Sequence, residues 1–292
     1  MTSLAVVRPV GSLSLRQRVG AYVALTKPRI VELLLVTTLP TMIVADHGLP
    51  ALARILATLG GGALAAGGAN ATNMYVDRDI DAVMHRTARR PLVTGTVSPR
   101  SALVFAVALE AAAFGLLWGE VNLLAALLAL SAALFYVFVY TLWLKRSSSQ
   151  NIVIGGAAGA VPVLVGWAAV RDSLGLAPLL LFALIFVWTP PHFWALAVRY
   201  REDYSAAEVP MLPSVAPFGK VARRIVFYSV LVVGASVAFG VVAVAAGAVF
   251  LLLAGRLLVD RSEARAMRLF HWSITYLTLL FAAMAVDQFV RL

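Results

Sequence analysis

From about residue 30 to its end the chain is a succession of apolar segments, each near the length of a membrane-crossing helix. They fall at roughly 30–46, 51–76, 101–118, 122–143, 151–170, 175–198, 224–243, 245–259 and 270–290. About 20 residues of helix cross a hydrocarbon core, where every backbone polar group has to be satisfied inside its own segment. The pattern therefore predicts an all-α polytopic membrane protein with nine transmembrane helices. A mean hydropathy of +0.90 and a charged fraction of only 13% exclude an ordinary soluble core. The seventh and eighth segments share one unbroken run, and its division is expected near Gly247.

The charges orient this bundle. All but Arg54, Arg171 and Arg291 of the 24 lysines and arginines lie on one side of a nine-span arrangement. That side holds the N-terminal segment and the loops near 77–100, 144–150, 199–223 and 256–268. The positive-inside rule puts the N-terminus and these loops in the cytoplasm and the C-terminus outside. Residues 1–28 read as a cytoplasmic N-terminal segment without the apolar core of a cleaved signal, and 29–292 as a single transmembrane domain. The formal charge of +10 lies in short loops between spans, which argues for topology and anion binding and against nucleic acid. There is no cysteine, so disulfide, thiolate and iron–sulfur chemistry are excluded.

At the end of the second span, Asn73, Asp77 and Asp81 stand four residues apart, with Asn70 three residues before them. Four residues is about 400° of helical rotation, so these side chains share a face. Two carboxylates in such a row repel unless a cation lies between them. Hard oxygens suit Mg²⁺, which commonly bridges carboxylates to substrate phosphates. An Asp-rich turn is also common at a solvated helix end. The neighbouring basic residues favour the phosphate: Arg78 lies within the row, Arg86, Arg89 and Arg90 come directly after it, and Lys145-Arg146 closes the fourth span. Arginine supplies a planar fork of donors for diphosphate oxygens. Lys27 and Arg29 open the first span at the same mouth, with Glu32 one turn inside. Glu110 is a second intramembrane acid, to which no role is assigned.

The sixth span carries Trp188-Thr-Pro190-Pro191-His192-Phe193-Trp194, followed by Arg199-Tyr-Arg201-Glu202-Asp203-Tyr204. Two prolines deep in a span remove ladder donors, so a break is expected there, tolerated against protein or a cavity. An ionisable group such as His192 within a span raises a functional reading beside the packing one.

These residues together resemble the UbiA superfamily of intramembrane prenyltransferases. The resemblance runs from Leu25-Thr-Lys-Pro-Arg-Ile30 to the ninth span. Asn73-x₃-Asp77-x₃-Asp81 matches its first aspartate-rich motif, and Tyr140 through Arg146 with Asn151 matches its basic motif. Pro191-His192-Phe193-Trp194 and Asp203-Tyr204-x-x-Ala-x-x-Pro210-Met-Leu-Pro213 resemble the branch that acts on haem. Where many members carry two aspartates four apart after the sixth span, this chain has Glu202, Asp203 and Glu208, and the resemblance favours Asp203.

The resemblance implies a helical bundle around a central cavity, in the cell membrane, with its active site on the cytoplasmic side. It implies Mg²⁺-dependent transfer of a farnesyl group from farnesyl diphosphate to the 2-vinyl group of haem B, with addition of water and release of diphosphate. Asn73, Asp77, Asp81 and Asp203 would hold Mg²⁺. Asn70, Arg78, Arg90, Lys145 and Arg146 would hold the diphosphate, with Asp77, Asp81 and Lys145 as the catalytic groups. Tyr140, Trp143, Asn151, His192, Phe193, Trp194 and Tyr204 would line the haem or prenyl pocket, with His192 contacting the porphyrin as iron ligand or as donor to a propionate. Farnesyl diphosphate, haem B and the lipid bilayer are the expected partners, with a haem A synthase or a terminal oxidase assembly as a further one. A prenyltransferase acting on an aromatic or quinone precursor, or a haem transporter, are the alternative readings of the same sequence.

Overall fold

The computed structural model describes residues 14–237 and 240–290. No strand occurs among them. The expected residues 1–13 of the N-terminal segment, Arg8 included, and Arg291 lie outside the described residues.

The helices are α1 (Leu15–Thr26), α2 (Pro28–Asp46), α3 (Leu52–Val76), α4 (Arg78–Val83), α5 (Pro99–Glu120) and α6 (Leu123–Leu134). A π-helical stretch, Phe135–Leu144, carries α6 on into the last turn α7 (Lys145–Ser147). Then come α8 (Asn151–Arg171), α9 (Leu176–Arg199), α10 (Arg201–Ala206), α11 (Leu212–Val215), α12 (Phe218–Ser236), α13 (Val241–Val259) and α14 (Glu263–Val290). Local chemistry explains the starts. Ser14 and Gln17 form a capping box on α1, Ser98 caps α5 just before Pro99, and Asn122 accepts from the Ala125 N–H at the head of α6.

Eight of these helices, counting Leu123–Ser147 as one, are long and apolar enough to cross a membrane. The expected seventh span corresponds to α12, which is not among these eight. It begins six residues earlier than expected, and Lys220, Arg223 and Arg224 occupy its first two turns. The division of the long apolar run also differs. The turn falls at Gly240, whose φ of 95° suits a residue without Cβ. Gly247 lies inside α13, where an added Cβ would be 2.8 Å from Val233 Cγ1, so it serves close approach of α13 to α12. The break expected at Pro190-Pro191 is absent: α9 continues through both, with Trp188, both prolines and Trp194 buried on either side of the lost donors.

The spans pack in sequence around a ring, α3 on α5, α5 on α6, α6 on α8, α8 on α9, α9 on α12, α12 on α13 and α13 on α14, which closes on α2. One buried core gathers side chains of α8, α9 and α12–α14, and another those of α3, α5, α6 and α8. Ala21 and Leu25 dock α1 against α3 and α5. The end of the bundle where α1 meets α2, and where α4, α7 and α10 lie, carries the charged residues of the sequence motifs.

Candidate active site

The acidic row survives a change of element. α3 stops at Val76 and α4 starts at Arg78, with Asp77 between them at φ −83° and ψ 8°. The Asp77 N–H still donates to Asn73 O at 2.9 Å and the Asp81 N–H to Asp77 O at 2.8 Å, so the four-residue register holds. All three side chains are buried.

Each carboxylate has drawn a cation from elsewhere in the chain. Lys145 Nζ donates to Asp77 Oδ2. Arg90 Nη1 donates to Asp81 Oδ2 at 2.5 Å. Arg146 makes a two-pronged contact with Asp79, both bonds 2.8 Å, and its Nη2 lies 3.7 Å from Asp77 Oδ1. That fork holds the Asp79 carboxyl well below the usual carboxylate range. Asn73 Nδ2 donates to Asp77 Oδ2 at 2.7 Å and to Thr141 Oγ1 at 3.0 Å, while its Oδ1 accepts from Lys27 Nζ at 2.6 Å. Lys27 sits in the left-handed region, φ 52°, as the joint between α1 and α2. Burial first, then Arg90 and Lys145, push its ammonium well below the usual lysine range.

Asp77 Oδ1 is buried without a hydrogen-bond partner. A carboxylate oxygen free of hydrogen bonds, in one row with Asn73 and Asp81, is the kind of donor a hard divalent cation takes. Among the described residues no three acidic or histidine side chains converge at metal-ligand spacing. Asp203 is engaged otherwise: its Oδ1 accepts from the His85 N–H at 3.2 Å and its Oδ2 from the Arg86 N–H at 3.1 Å, which ties α10 to the loop after α4.

Below this mouth lies an apolar cavity between α2, α3, α6 and α8, with ≈ 830 Å³ of atom-free space counting the part open to the outside. Asn70 and Tyr136 stand in its lining with Thr58 and Val165, and Ala65, Ala66, Ala133 and Gly159 keep its walls thin. From Asn70 to Thr58 the cavity follows α3 for about 18 Å.

The remaining residues expected at the site divide. Asn70 Nδ2 donates to Thr26 O at 3.0 Å, fastening α3 to α1. Tyr140 stacks on Tyr136 at 5.3 Å. Both amide atoms of buried Asn151 lack partners. Tyr204 is buried, its hydroxyl accepts from Arg86 at 3.4 Å, and burial raises its pKa. Trp194 is buried edge-on to Tyr228, and Phe193 packs against the core of α8, α9 and α12–α14. His192 lies between Trp188 and Phe270. Two residues stay away from the mouth. Arg78 turns back over the Tyr75 ring and donates to Tyr75 O, and Trp143 is 63% exposed on the outside of the bundle. The π-helical stretch explains Trp143: an extra residue in a turn rotates the rest of the helix by about 100°. Sequence reasoning gave no role to Tyr136, Thr141 or Asp79. Thr141 Oγ1 donates to Tyr136 O, five residues back, within that π stretch, and helical periodicity of 3.6 gives no sign of it.

The model of the UbiA prenyltransferase family matches residues 34–280. The chain is 52% identical to the protoheme IX farnesyltransferase of Streptomyces avermitilis over 97% of each chain. It is 55% identical to the protein of the same name from Kineococcus radiotolerans, over 94% of this chain and 89% of that one. Among solved structures it resembles a digeranylgeranylglyceryl phosphate synthase, with a TM-score of 0.75 at 17% identity over 94% of this chain and 99% of the other. It also resembles a UbiA homologue from Archaeoglobus fulgidus bound to GPP and Mg²⁺, with a TM-score of 0.63 at 17% identity over 90% and 99%.

Proposed function

The chain belongs to the UbiA prenyltransferase family, and from that premise we propose that it converts haem B to haem O. The farnesyl group of farnesyl diphosphate joins the 2-vinyl group, water adds, and diphosphate leaves. The observation that carries the transfer chemistry is the composition of the mouth. Every carboxylate of the row is matched by a basic side chain, and Lys27 remains over, facing only the neutral amide of Asn73. That surplus of donors opens beside an apolar cavity of isoprenoid length. The name shared by relatives more than half identical along nearly the whole chain supports haem as the acceptor.

Asn73, Asp77 and Asp81 would hold Mg²⁺, with Asp77 Oδ1, which accepts no hydrogen bond, as the open donor. The ion would neutralise diphosphate oxygens and so make them a better leaving group. Lys27, Arg90 and Lys145 are the donors placed to receive the charge that develops on the diphosphate as the allylic C–O bond breaks. Arg146 stands at the rim, on Asp79. Asn70 and Tyr136 border the point where the chain enters the cavity, and the ring pair Tyr136–Tyr140 offers a π face to the allylic cation and excludes water from it. The vinyl π pair attacks that cation. The porphyrin-stabilised carbocation takes the oxygen of water, which gives up a proton. His192, Phe193, Trp194, Asn151 and Tyr204 are assigned to the acceptor side.

The protein is a multi-pass membrane protein. We assign the charged mouth and the N-terminus to the cytoplasmic side of the cell membrane, the C-terminus to the outer side, and a ninth crossing to α12. A haem A synthase or terminal oxidase would be the consumer of the product. The deciding experiment incubates the purified protein with haem B, Mg²⁺ and farnesyl diphosphate and looks for haem O by mass. Transfer to an aromatic acceptor instead, with haem B untouched, would overturn the acceptor assignment.

A further inference from the structure

His192 is the one histidine of the four that points inward. His85 and His271 are exposed, and His47 meets Gln288 at 3.3 Å near the far end of α2. Its ring is held on both faces, stacked on Trp188 at 4.2 Å and 16° and on Phe270 at 4.7 Å and 28°. Its Nδ1 lies 2.7 Å from Ser273 Oγ. The Ser273 hydroxyl in turn donates to Phe270 O at 2.6 Å, and Trp188 Nε1 donates to Ser273 O at 2.9 Å. Trp188 of α9 and two residues of α14 thus close around one imidazole.

A serine hydroxyl carries a single proton. With that proton directed at the Phe270 carbonyl, Ser273 Oγ can only accept from the ring. In a neutral imidazole one nitrogen donates and the other accepts, so this arrangement calls for the proton on Nδ1 and the lone pair on Nε2. No hydrogen bond reaches Nε2 from any described residue. Histidines that bind metals are commonly oriented by this device, the second ring N–H given to a fixed acceptor.

We infer that Ser273 is a positioning residue that locks His192 in the Nδ1-protonated tautomer, presenting Nε2 as a ligand for the iron of the acceptor haem. The inference rests on haem being the acceptor. It also decides between the two contacts open to His192: with Nδ1–H already donated to Ser273, the neutral ring has no proton left for a propionate.

The test compares wild type with Ser273→Ala, Ser273→Thr and His192→Ala, each purified in lipid nanodiscs. In wild type, ¹⁵N-histidine NMR of the haem-free protein should show Nε2 unprotonated, and added haem B should give a histidine-ligated absorption spectrum. Ser273→Ala should lose the single tautomer and weaken haem binding about 10-fold or more, with KM for farnesyl diphosphate unchanged. Ser273→Thr keeps the hydroxyl and should behave as wild type. His192→Ala should lose the ligated spectrum and regain it on addition of imidazole. A Ser273→Ala protein with wild-type tautomer and haem affinity overturns the inference, as does a His192→Ala spectrum identical to wild type. Wild type that makes haem O while showing either result overturns this inference alone. Wild type that binds no haem overturns the acceptor assignment with it.

Discussion

Lys27 Nζ lies 2.6 Å from Asn73 Oδ1, across 46 residues of sequence. Of the four basic side chains gathered around the acidic row, Lys27, Arg90, Lys145 and Arg146, only Lys27 meets no carboxylate. A cation held by a neutral amide is available to an arriving anion at little cost, whereas the other three have to share theirs. Lys27→Met keeps the bulk and removes the charge. Losing one charge-assisted hydrogen bond to a phosphate oxygen, worth about 1.5–3 kcal/mol, should raise KM for farnesyl diphosphate about 10- to 100-fold. KM for haem B should stay within about two-fold. A rise confined to haem would place Lys27 on the acceptor side.

Asp77 is wholly buried against Lys145. Asp77→Ala and Asp81→Ala should each abolish turnover in a protein that still inserts in the membrane, and chelation of Mg²⁺ should do the same to wild type. Removing one partner of a buried pair costs about 3–5 kcal/mol because the other charge is stranded. Asp77→Ala/Lys145→Met should therefore recover much of the thermal stability lost by Asp77→Ala alone, without recovering activity. Thermal unfolding of the two proteins checks this; equal midpoints would mean the pair carries no stability.

Asp203 binds two backbone N–H groups of the loop after α4. Asp203→Asn leaves one acceptor where there were two. It should raise KM for farnesyl diphosphate through a looser loop and speed proteolysis between residues 84 and 98, with the Mg²⁺ concentration for half-maximal rate unchanged. Asp81→Asn should shift that concentration upward. If Asp203→Asn shifts it as far, Asp203 is a metal ligand after all.

Ala133 is buried in the wall of the apolar cavity. Ala133→Phe should shorten the space for the isoprenoid tail, lowering kcat/KM for farnesyl diphosphate about 10-fold or more relative to geranyl diphosphate, since overpacking costs about 1–3 kcal/mol. Trp143→Ala, on the outer surface, should leave both substrates unaffected, and Tyr136→Ala should slow both. Competition assays with the two diphosphates separate these outcomes.

The sequence alone determined that this chain crosses a membrane many times as helices, because an apolar run of that length has no other way to satisfy its backbone. It also determined that Asn73, Asp77 and Asp81 share a face, because a spacing of four is read directly from helical geometry, and the N–H···O bonds through Asp77 preserve that spacing across the junction of α3 and α4. The turn at Gly240 in place of Gly247 was less legible. Both glycines suit a bend, and only packing shows that one carries the positive φ and the other the contact with Val233.

Partnership was decided by the tertiary structure. Lys145 reaches Asp77 across 68 residues and Arg146 reaches Asp79 across 67, so neighbours in sequence donate their hydrogen bonds to different carboxylates. Tyr136 joins Ala129 and Ala133 in the cavity wall while the π stretch leaves Trp143 outside, and Ser273 meets His192 from a helix 81 residues away. Helical periodicity fixes which side chains of one helix share a face. Which faces then meet depends on the rotation and crossing of whole helices, set by the packing of all their side chains together.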